Sequence, residues 1–269
     1  MVGNVRSGTL EAHTTVEHTS DPRRAAFDRD GYIKLDGLLQ PSEVGWYLDI
    51  YDQFLTETIN AGSLRSDLGA GAELVKKGVE NITQIMWPSE LVPELRTSPA
   101  YARALAVGRE MLGDDLAFDF DMLINKAPQT NTPTPGHQDT AYWPDLPDNR
   151  AASCWITLDE AHQDNGCMWF VPGSHLKPLR PHRPAGRGGG ALECDCTEAE
   201  CVCVPLRPGS CTFHAGSMLH YSRGNSTAGH RRALIVNFRP AAMIELERAK
   251  GFDHGKSANV RINRNVQTR

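Results

Sequence analysis

The chain lacks several features that mark other classes of protein. No apolar run approaches the roughly 18 residues of a membrane-spanning helix, and residues 1–20 lack the apolar core of a secretory signal. The formal net charge is −5 without any long basic run, which argues against nucleic acid as the main partner. The composition therefore favours a cytoplasmic protein that has neither a membrane nor a nucleic acid as its partner.

Cysteine is present in an odd number, seven, so a complete disulfide framework is not expected. Without a secretory signal, reduced thiols are the more common state. Four of the seven form the pattern C-x-C-x4-C-x-C, at Cys194, Cys196, Cys201 and Cys203. If residues 197–200 form a hairpin loop, the four thiols converge and have the ligand set of a structural zinc site. Free thiols are nevertheless the favoured interpretation, because C-x-C binds a metal less well than the usual C-x2-C, and a disulfide is the third alternative.

The length of 269 residues is sufficient for one domain with a sizeable core. Residues 1–22 lack hydrophobic periodicity and are predicted to form a mobile tail. Residues 23–269 are predicted to form a single domain, because no linker or internal repeat interrupts them.

The N-terminal half of this domain has the hydrophobic spacing of helices. The predicted elements are a short helix that ends at Gly31 and leads into a strand, a helix between Pro41 and Gly62, a flexible loop over 61–72, and a helix between Ser98 and Gly113. The chain then changes from helical periodicity to the alternation typical of strands.

The first alternating segment begins at Leu116 and continues to Asn125. Further candidate strands are 153–158, 167–171, 201–206, 210–214, 217–221 and 232–238. Many short strands at close spacing predict a mainly β fold, a sandwich or closed barrel, packed against the N-terminal helices.

His137 and Asp139 are the first candidates for metal ligands. In an extended strand, side chains two apart share a face, so this imidazole and this carboxylate would point the same way. His220, on a late strand, is the leading candidate for a third ligand. Two histidines and one carboxylate on one face, with open positions opposite, are typical of non-heme Fe(II) oxygenases.

Arg231 and Ser222 suggest a site for a carboxylate ligand. Ser222 lies two residues after His220 and shares its strand face, and Arg231 lies on the following strand. The planar guanidinium of arginine pairs with a carboxylate through two parallel hydrogen bonds. Arg232 is the competitor, but neighbouring strand residues face opposite ways, so the spacing favours Arg231.

Several ordered motifs between about residues 25 and 240 resemble the phytanoyl-CoA dioxygenase family. The motifs are Met122-Leu123-Ile124-Asn125-Lys126, His137-Gln138-Asp139, Trp155-Ile156-Thr157-Leu158-Asp159, Asn165-Gly166 with Pro172-Gly173-Ser174-His175, and His220-x-Ser222-x-x-Asn225 followed by Gly229-x-Arg231. The resemblance implies a double-stranded β-helix, a jelly-roll or cupin-like core, that binds Fe(II) and 2-oxoglutarate.

The resemblance also implies roles for individual residues. The iron ligands at the catalytic centre would be His137, Asp139 and His220. The distal carboxylate of 2-oxoglutarate would be held by Arg231 and Ser222, with Trp155, Met122 and Gln84 in or near the same pocket. Gln138, Tyr142 and Trp143 are candidate substrate contacts, although Tyr142 and Trp143 fit core packing equally well.

The expected reaction is oxygenation of a small molecule with release of succinate and CO2. Asp139 retains the carboxylate that related halogenases replace, which favours hydroxylation of an unactivated C–H bond over halogenation. Desaturation and cyclisation remain open. Two rival functions are a cupin-type metalloenzyme that does not use 2-oxoglutarate and a non-catalytic binding protein on the same scaffold.

Overall fold

The computed structural model describes residues 21–69, 80–185 and 191–257. The helices are α1 (Pro22–Asp30), α2 (Pro41–Leu55), α3 (Pro88–Leu91), α4 (Pro99–Leu112) and α5 (Ala241–Ala249). The strands are β1 (Tyr32–Leu35), β2 (Arg65–Asp67), β3 (Ile82–Met86), β4 (Leu116–Lys126), β5 (Thr134–His137), β6 (Ala152–Thr157), β7 (Met168–Phe170), β8 (Arg183–Pro184), β9 (Leu192–Glu193), β10 (Val202–Val204), β11 (Cys211–Ala215), β12 (His220–Ser222) and β13 (Arg231–Pro240). None of the helices in these ranges is long and apolar enough to cross a membrane.

Two antiparallel sheets form the body of the fold. The larger sheet has the order β1-β11-β6-β13-β4-β3-β2, and the smaller sheet has the order β10-β7-β12-β5. Trp155 and Ile235 of the larger sheet belong to the same buried apolar cluster as Met168 and Phe170 of the smaller sheet. The sheets therefore face each other across a shared core, and the predicted mainly β architecture is confirmed.

The helices cover the outer face of the larger sheet. A second apolar cluster contains Phe27 of α1, Tyr51 and Phe54 of α2, and Met111 of α4, together with Phe213 and Phe238 of the sheet. Gly108 allows α4 to approach closely, because a Cβ atom there would lie 3.1 Å from the ring of Phe213. The predicted packing of N-terminal helices against the β core is confirmed.

The helix predicted between Pro41 and Gly62 is shorter than expected. It ends at Leu55, where the hydroxyl of Thr56 donates to the carbonyl of Asp52 and Glu57 adopts a left-handed φ of 59°. The Thr56 hydroxyl bonds to a carbonyl of the last turn, and the left-handed residue after it turns the chain away from the helix axis. The helix therefore ends here although the apolar spacing continues.

The loop predicted over 61–72 is partly structured, and residues 70–72 lie outside the described ranges. Residues 62–64 form a 3₁₀ turn and β2 pairs with β3. Nε of Arg65 donates to the carboxylate of Glu80 at 2.9 Å. The small, glycine-rich residues of this segment predict a loop, but they do not reveal such a contact with a residue elsewhere in the chain. Residues 1–20 of the predicted tail also lie outside the described ranges.

The candidate strands of the C-terminal half are all present with shifted bounds. The largest shift is in 217–221, where β12 begins only at His220. Before it, the backbone N–H of Met218 donates to the carbonyl of Ala215, which closes a turn directly after β11. A tight turn that leads from the larger sheet to the smaller one therefore occupies residues that the sequence assigns to a strand.

The four cysteines at 194, 196, 201 and 203 do not converge on one point, and all four are free thiols. Residues 198–200 form a 3₁₀ turn, and the Sγ atoms of Cys196 and Cys201 lie 3.4 Å apart. Cys203 instead faces Cys167 of the barrel wall at 3.3 Å, because β10 pairs with β7. Within the described ranges, no three cysteine thiols come close enough to share a metal ion. The hypothesis of a zinc site with four thiolate ligands is therefore wrong.

Asp121 is a buried carboxylate under the helical layer. Its Oδ2 accepts hydrogen bonds from the hydroxyl of Tyr101 and the backbone N–H of Ser89, whereas its Oδ1 is buried without a partner. Burial, the largest influence, raises the pKa of Asp121 to about 6. The protonated form is therefore favoured in the folded state relative to the unfolded chain.

Asp121→Asn tests this effect on stability. A raised pKa means that the folded protein binds the proton more tightly, so stability is lost as the pH rises from about 4 to about 6. In the wild type, this proton would change the free energy of unfolding by up to about 3 kcal/mol over that pH range, and we expect Asp121→Asn to remove this change. Urea unfolding between pH 4 and 7 measures it, with exposed Asp114→Asn as control. Identical pH profiles of Asp121→Asn and the wild type would contradict the assignment.

Candidate functional site

A cavity of about 150 Å³ lies between the two sheets and contains most of the predicted site residues. Both sheets contribute to its wall, the larger through β3, β4, β6 and β13 and the smaller through β5 and β12. Side chains from strands distant in sequence therefore meet in one cavity.

His137, Asp139 and His220 come together at one side of this cavity. His137 is the last residue of β5 and lies directly opposite His220 of β12 in the antiparallel register. Oδ1 of Asp139 is 3.6 Å from Nε2 of His137 and 3.8 Å from Nε2 of His220. Three donor atoms of types that bind divalent metals thus face one point.

Extended backbone links Asp139 to His137. Strand β5 ends at His137 and a 3₁₀ turn begins at Asp139, but Gln138 between them is extended, with φ −124° and ψ 126°. The two side chains therefore point the same way, as alternation along an extended segment predicts.

Backbone carbonyls orient both imidazoles. Nδ1 of His137 lies 2.8 Å from the carbonyl oxygen of Pro135, and Nδ1 of His220 lies 2.9 Å from that of Met218. A carbonyl oxygen only accepts, so each Nδ1 carries the proton and each Nε2 keeps a free lone pair. Burial lowers the pKa of His220 to about 3, which keeps this ring neutral at pH 7. Neutral imidazoles with free Nε2 atoms are the form that binds metal.

The second oxygen of Asp139 has partners of its own. Oδ2 lies 3.1 Å from the hydroxyl of Ser153 and 3.7 Å from Nε2 of His214. Burial acts to raise the pKa of Asp139, but its interactions with His220, His137 and His214 outweigh burial and hold that pKa well below the ordinary value. The carboxylate is therefore ionised.

Ser153 and His214 were not predicted from the sequence. They lie directly opposite each other on the adjacent strands β6 and β11. The one available signal is that each is a polar residue in a segment that otherwise reads as a buried strand. That signal does not reveal which residue a polar side chain will face.

Arg231 is a buried cation that forms no ion pair with any described residue. It is 1% exposed, and its Nε and Nη1 atoms have no hydrogen-bond partner in residues 21–69, 80–185 and 191–257. Its guanidinium lies 5.1 Å from the ring of Trp155. Burial lowers the pKa of Arg231 to about 10, so it remains charged at pH 7. An unpaired buried charge is costly, and its presence in a cavity indicates a site for an anionic ligand.

The neighbouring Arg232 points the other way, as the alternation of the strand requires. Its guanidinium binds the carboxylates of Asp159 and Asp52 on the outer side of the sheet. Arg231 is thus the one of the two arginines that lines the cavity.

The remaining predicted residues divide into two groups. Those that line the cavity are Ser222, Trp155, Met122, Gln84, Tyr142 and Trp143. Gln138 does not line it: its amide donates to the carbonyl of Ser217 and accepts from the backbone N–H of Arg180. Its side chain joins two loops and is 1% exposed, so the expectation of a substrate contact does not fit this structure.

A second group of possible metal ligands consists of Asp119, Glu247 and His254, all buried. Nε2 of His254 lies 2.8 Å from Glu247 and 3.2 Å from Asp119. Arg239 and Arg248 each pair with both carboxylates. Two guanidinium charges balance two carboxylates, so this group is an ion network that fixes the segment after α5 against the sheet. His254 extends from it into the cavity wall.

Comparison with known proteins agrees with this geometry. The family model of phytanoyl-CoA dioxygenase (PhyH) matches residues 27–233. A probable phytanoyl-CoA dioxygenase of Caenorhabditis elegans is 26% identical over 235 residues, which cover 81% of this chain and 75% of that protein. The peroxisomal phytanoyl-CoA dioxygenase of Bos taurus is 33% identical over 130 residues, but these cover only 45% of this chain and 38% of that protein.

Two solved structures are similar in both fold and sequence. EvdO2 from Micromonospora carbonacea var. aurantiaca, complexed with 2-oxoglutarate, has a TM-score of 0.65 and 30% identity, with 87% of this chain and 92% of that chain covered. The epimerase SnoN in complex with Fe3+, alpha ketoglutarate and nogalamycin RO has a TM-score of 0.63 and 27% identity, with 81% and 82% covered. Since the family model spans more than half of the sequence and the structural matches agree with it, the chain belongs to the phytanoyl-CoA dioxygenase family of Fe(II)- and 2-oxoglutarate-dependent oxygenases.

Proposed function

We propose that this protein is an Fe(II)- and 2-oxoglutarate-dependent dioxygenase that hydroxylates an unactivated C–H bond of a small molecule and releases succinate and CO2. The observation that carries the proposal is the unpaired, buried guanidinium of Arg231 in the same cavity as His137, Asp139 and His220. A metal site alone accounts for the three ligands, but it does not account for a buried cation that lacks an anion.

His137, Asp139 and His220 would hold the iron. Two imidazoles and one carboxylate supply the donor types that suit Fe(II) and leave open positions opposite them. When bound, the iron and the keto acid supply the oxidative chemistry, in which dioxygen oxidises the keto acid to succinate and CO2 and places a hydroxyl group on the substrate. The task of the protein is to orient these partners and to exclude water.

Arg231 would bind the distal carboxylate of 2-oxoglutarate through two parallel hydrogen bonds. Such a pair uses Nη2 together with either Nε or Nη1, and neither of the latter two has a hydrogen-bond partner among the described residues. Ser222, which is buried and lines the same cavity, would donate a further hydrogen bond. Trp155 lies beside the guanidinium and would restrict the keto acid to one orientation. Gln84 and Met122 complete this part of the wall.

The substrate is expected to be neutral and largely apolar. Of the described residues that line the cavity, only Asp139 and Arg231 carry a fixed charge, and both have roles in binding iron or the keto acid. The remaining wall is formed mainly by aromatic, aliphatic and thioether side chains, including Met86, Phe120, Trp143, Phe252 and Leu68. A charged substrate would lose its hydration there without gaining an ion-pair partner.

The two rival functions differ from this one at Arg231. A cupin-type metalloenzyme that does not use a keto acid has no need of a buried cation beside its metal. A binding protein on a decayed scaffold has no need of oriented imidazoles with free Nε2 atoms. Both rivals predict that 2-oxoglutarate is not decarboxylated.

The ligand assignment is tested by His137→Ala and Asp139→Ala. We expect Fe(II)-dependent formation of succinate from 2-oxoglutarate to fall by at least about 100-fold in each, because even outer-shell partners of a metal are worth 10- to 100-fold. His162→Ala is the matched control, since His162 lies outside the cavity. Succinate formation at the wild-type rate in either ligand variant would refute the assignment.

The keto-acid anchor is tested by Arg231→Ala and Arg231→Lys. A hydrogen bond to a charged group is worth about 1.5–3 kcal/mol, so Arg231→Ala should raise the 2-oxoglutarate concentration for half-maximal succinate formation by about 10- to 100-fold. Arg231→Lys should recover only part of this, because lysine lacks the planar pair of donors. Arg232→Ala is the control. A normal requirement in Arg231→Ala with a raised one in Arg232→Ala would contradict the assignment.

A further inference from the structure

The two oxygens of Asp139 have different surroundings. Oδ1 lies nearest to the free Nε2 atoms of His137 and His220, so it is the oxygen that faces the metal position. Oδ2 is directed toward Ser153 and His214. The neighbouring residues therefore distinguish an inner oxygen, Oδ1, which faces the metal position, from an outer oxygen, Oδ2, which faces away from it.

His214 is placed in an unusual way for a core histidine. It is 2% exposed, and its ring centroid lies 5.2 Å from that of Phe170 and 4.9 Å from that of His220. Among the residues that the structure describes, its Nδ1 has no hydrogen-bond partner, and its Nε2 lies 3.7 Å from Oδ2 of Asp139. Burying an imidazole costs free energy unless its polar atoms find partners. Packing alone does not explain a histidine here.

Ser153 approaches the same oxygen from the neighbouring strand. Its hydroxyl lies 3.1 Å from Oδ2 of Asp139 and 2.7 Å from the side-chain oxygen of Asn237. A hydroxyl has one proton. The contact with Asn237 is the shorter one, whereas an ionised carboxylate is the stronger acceptor. Ser153 at 3.1 Å and His214 at 3.7 Å thus both lie against the outer oxygen, from adjacent strands whose register sets them opposite each other, and the His214 contact is longer than a hydrogen bond.

We propose that His214 is a positioning residue which, with Ser153, holds the outer oxygen of Asp139, so that this carboxylate binds iron through Oδ1 alone. A carboxylate free to rotate can bind a metal through both oxygens and would then occupy a position that the keto acid or dioxygen needs. The inference rests on the proposed function, because it concerns how the iron site keeps its open positions.

The experiment compares His214→Phe with His214→Gln in the full-length protein. Phenylalanine retains the ring that packs on Phe170 but removes the donor, whereas glutamine retains a donor. Two properties are measured without oxygen: the affinity for Fe(II), and the visible charge-transfer band of the complex with Fe(II) and 2-oxoglutarate. A change in folding stability alone alters neither the position of that band nor the affinity of the folded protein.

We expect His214→Phe to weaken Fe(II) binding by about tenfold and to shift the band, and His214→Gln to remain within about threefold of the wild type. His162→Phe is the control and should match the wild type in both properties. Wild-type affinity and an unshifted band in His214→Phe would overturn the proposal. Complete loss of iron binding, as in His137→Ala, would also overturn it, because His214 would then be a ligand.

Ser153→Ala is the second variant to measure if His214→Phe does not fold, because it removes the other neighbour of the outer oxygen of Asp139. We expect it to weaken Fe(II) binding severalfold, as His214→Phe does, and wild-type affinity would overturn the proposal.

The charge-transfer band distinguishes failure of the proposed function from failure of the proposed role of His214. No charge-transfer band in the wild-type protein would refute the proposed function, whereas a band that is present and unchanged in the variants would refute only the role of His214 and Ser153.

Discussion

The antiparallel pairing of His137 with His220 is the constraint on which the site depends. Both residues lie in short strands of the smaller sheet, and a slip of one residue would turn one imidazole away from the cavity. Several interactions secure the register. β12 is also paired with β7, and backbone carbonyls two residues before each histidine hold the imidazole rings. Local geometry and sheet pairing thus act together on the same two side chains.

The larger sheet supplies the charges that the smaller sheet lacks. Arg231 begins β13 and is set in register with Lys126 of β4, whose ammonium group donates to backbone carbonyls at Thr132 and Arg223. These contacts attach the loops that flank β5 and β12 to the larger sheet. The cation for the keto acid and the metal ligands are therefore held at a common position by two sheets that pack through one apolar core.

The segment that follows α5 completes the cavity by a different means. It has little regular structure, and its place is determined by the ion network of Asp119 and Glu247 with Arg239 and Arg248. Burying these charges together costs less than burying any one alone, because each has a partner. The same network holds His254 in the cavity wall, with its Nε2 atom next to the carboxylates of Asp119 and Glu247.

Sequence periodicity and motif order by themselves determined the fold class, the approximate positions of the strands and the inward direction of Arg231, because alternation follows directly from strand geometry. The spacing of His137 and Asp139 placed both side chains on one face, because Gln138 between them is extended although β5 itself ends at His137. Only the tertiary structure decided what each polar side chain faces. Ser153 and His214 meet Asp139, Cys203 meets Cys167, and Gln138 is taken by two loops, because strand pairing brings together residues whose separation in sequence carries no signal of their contact.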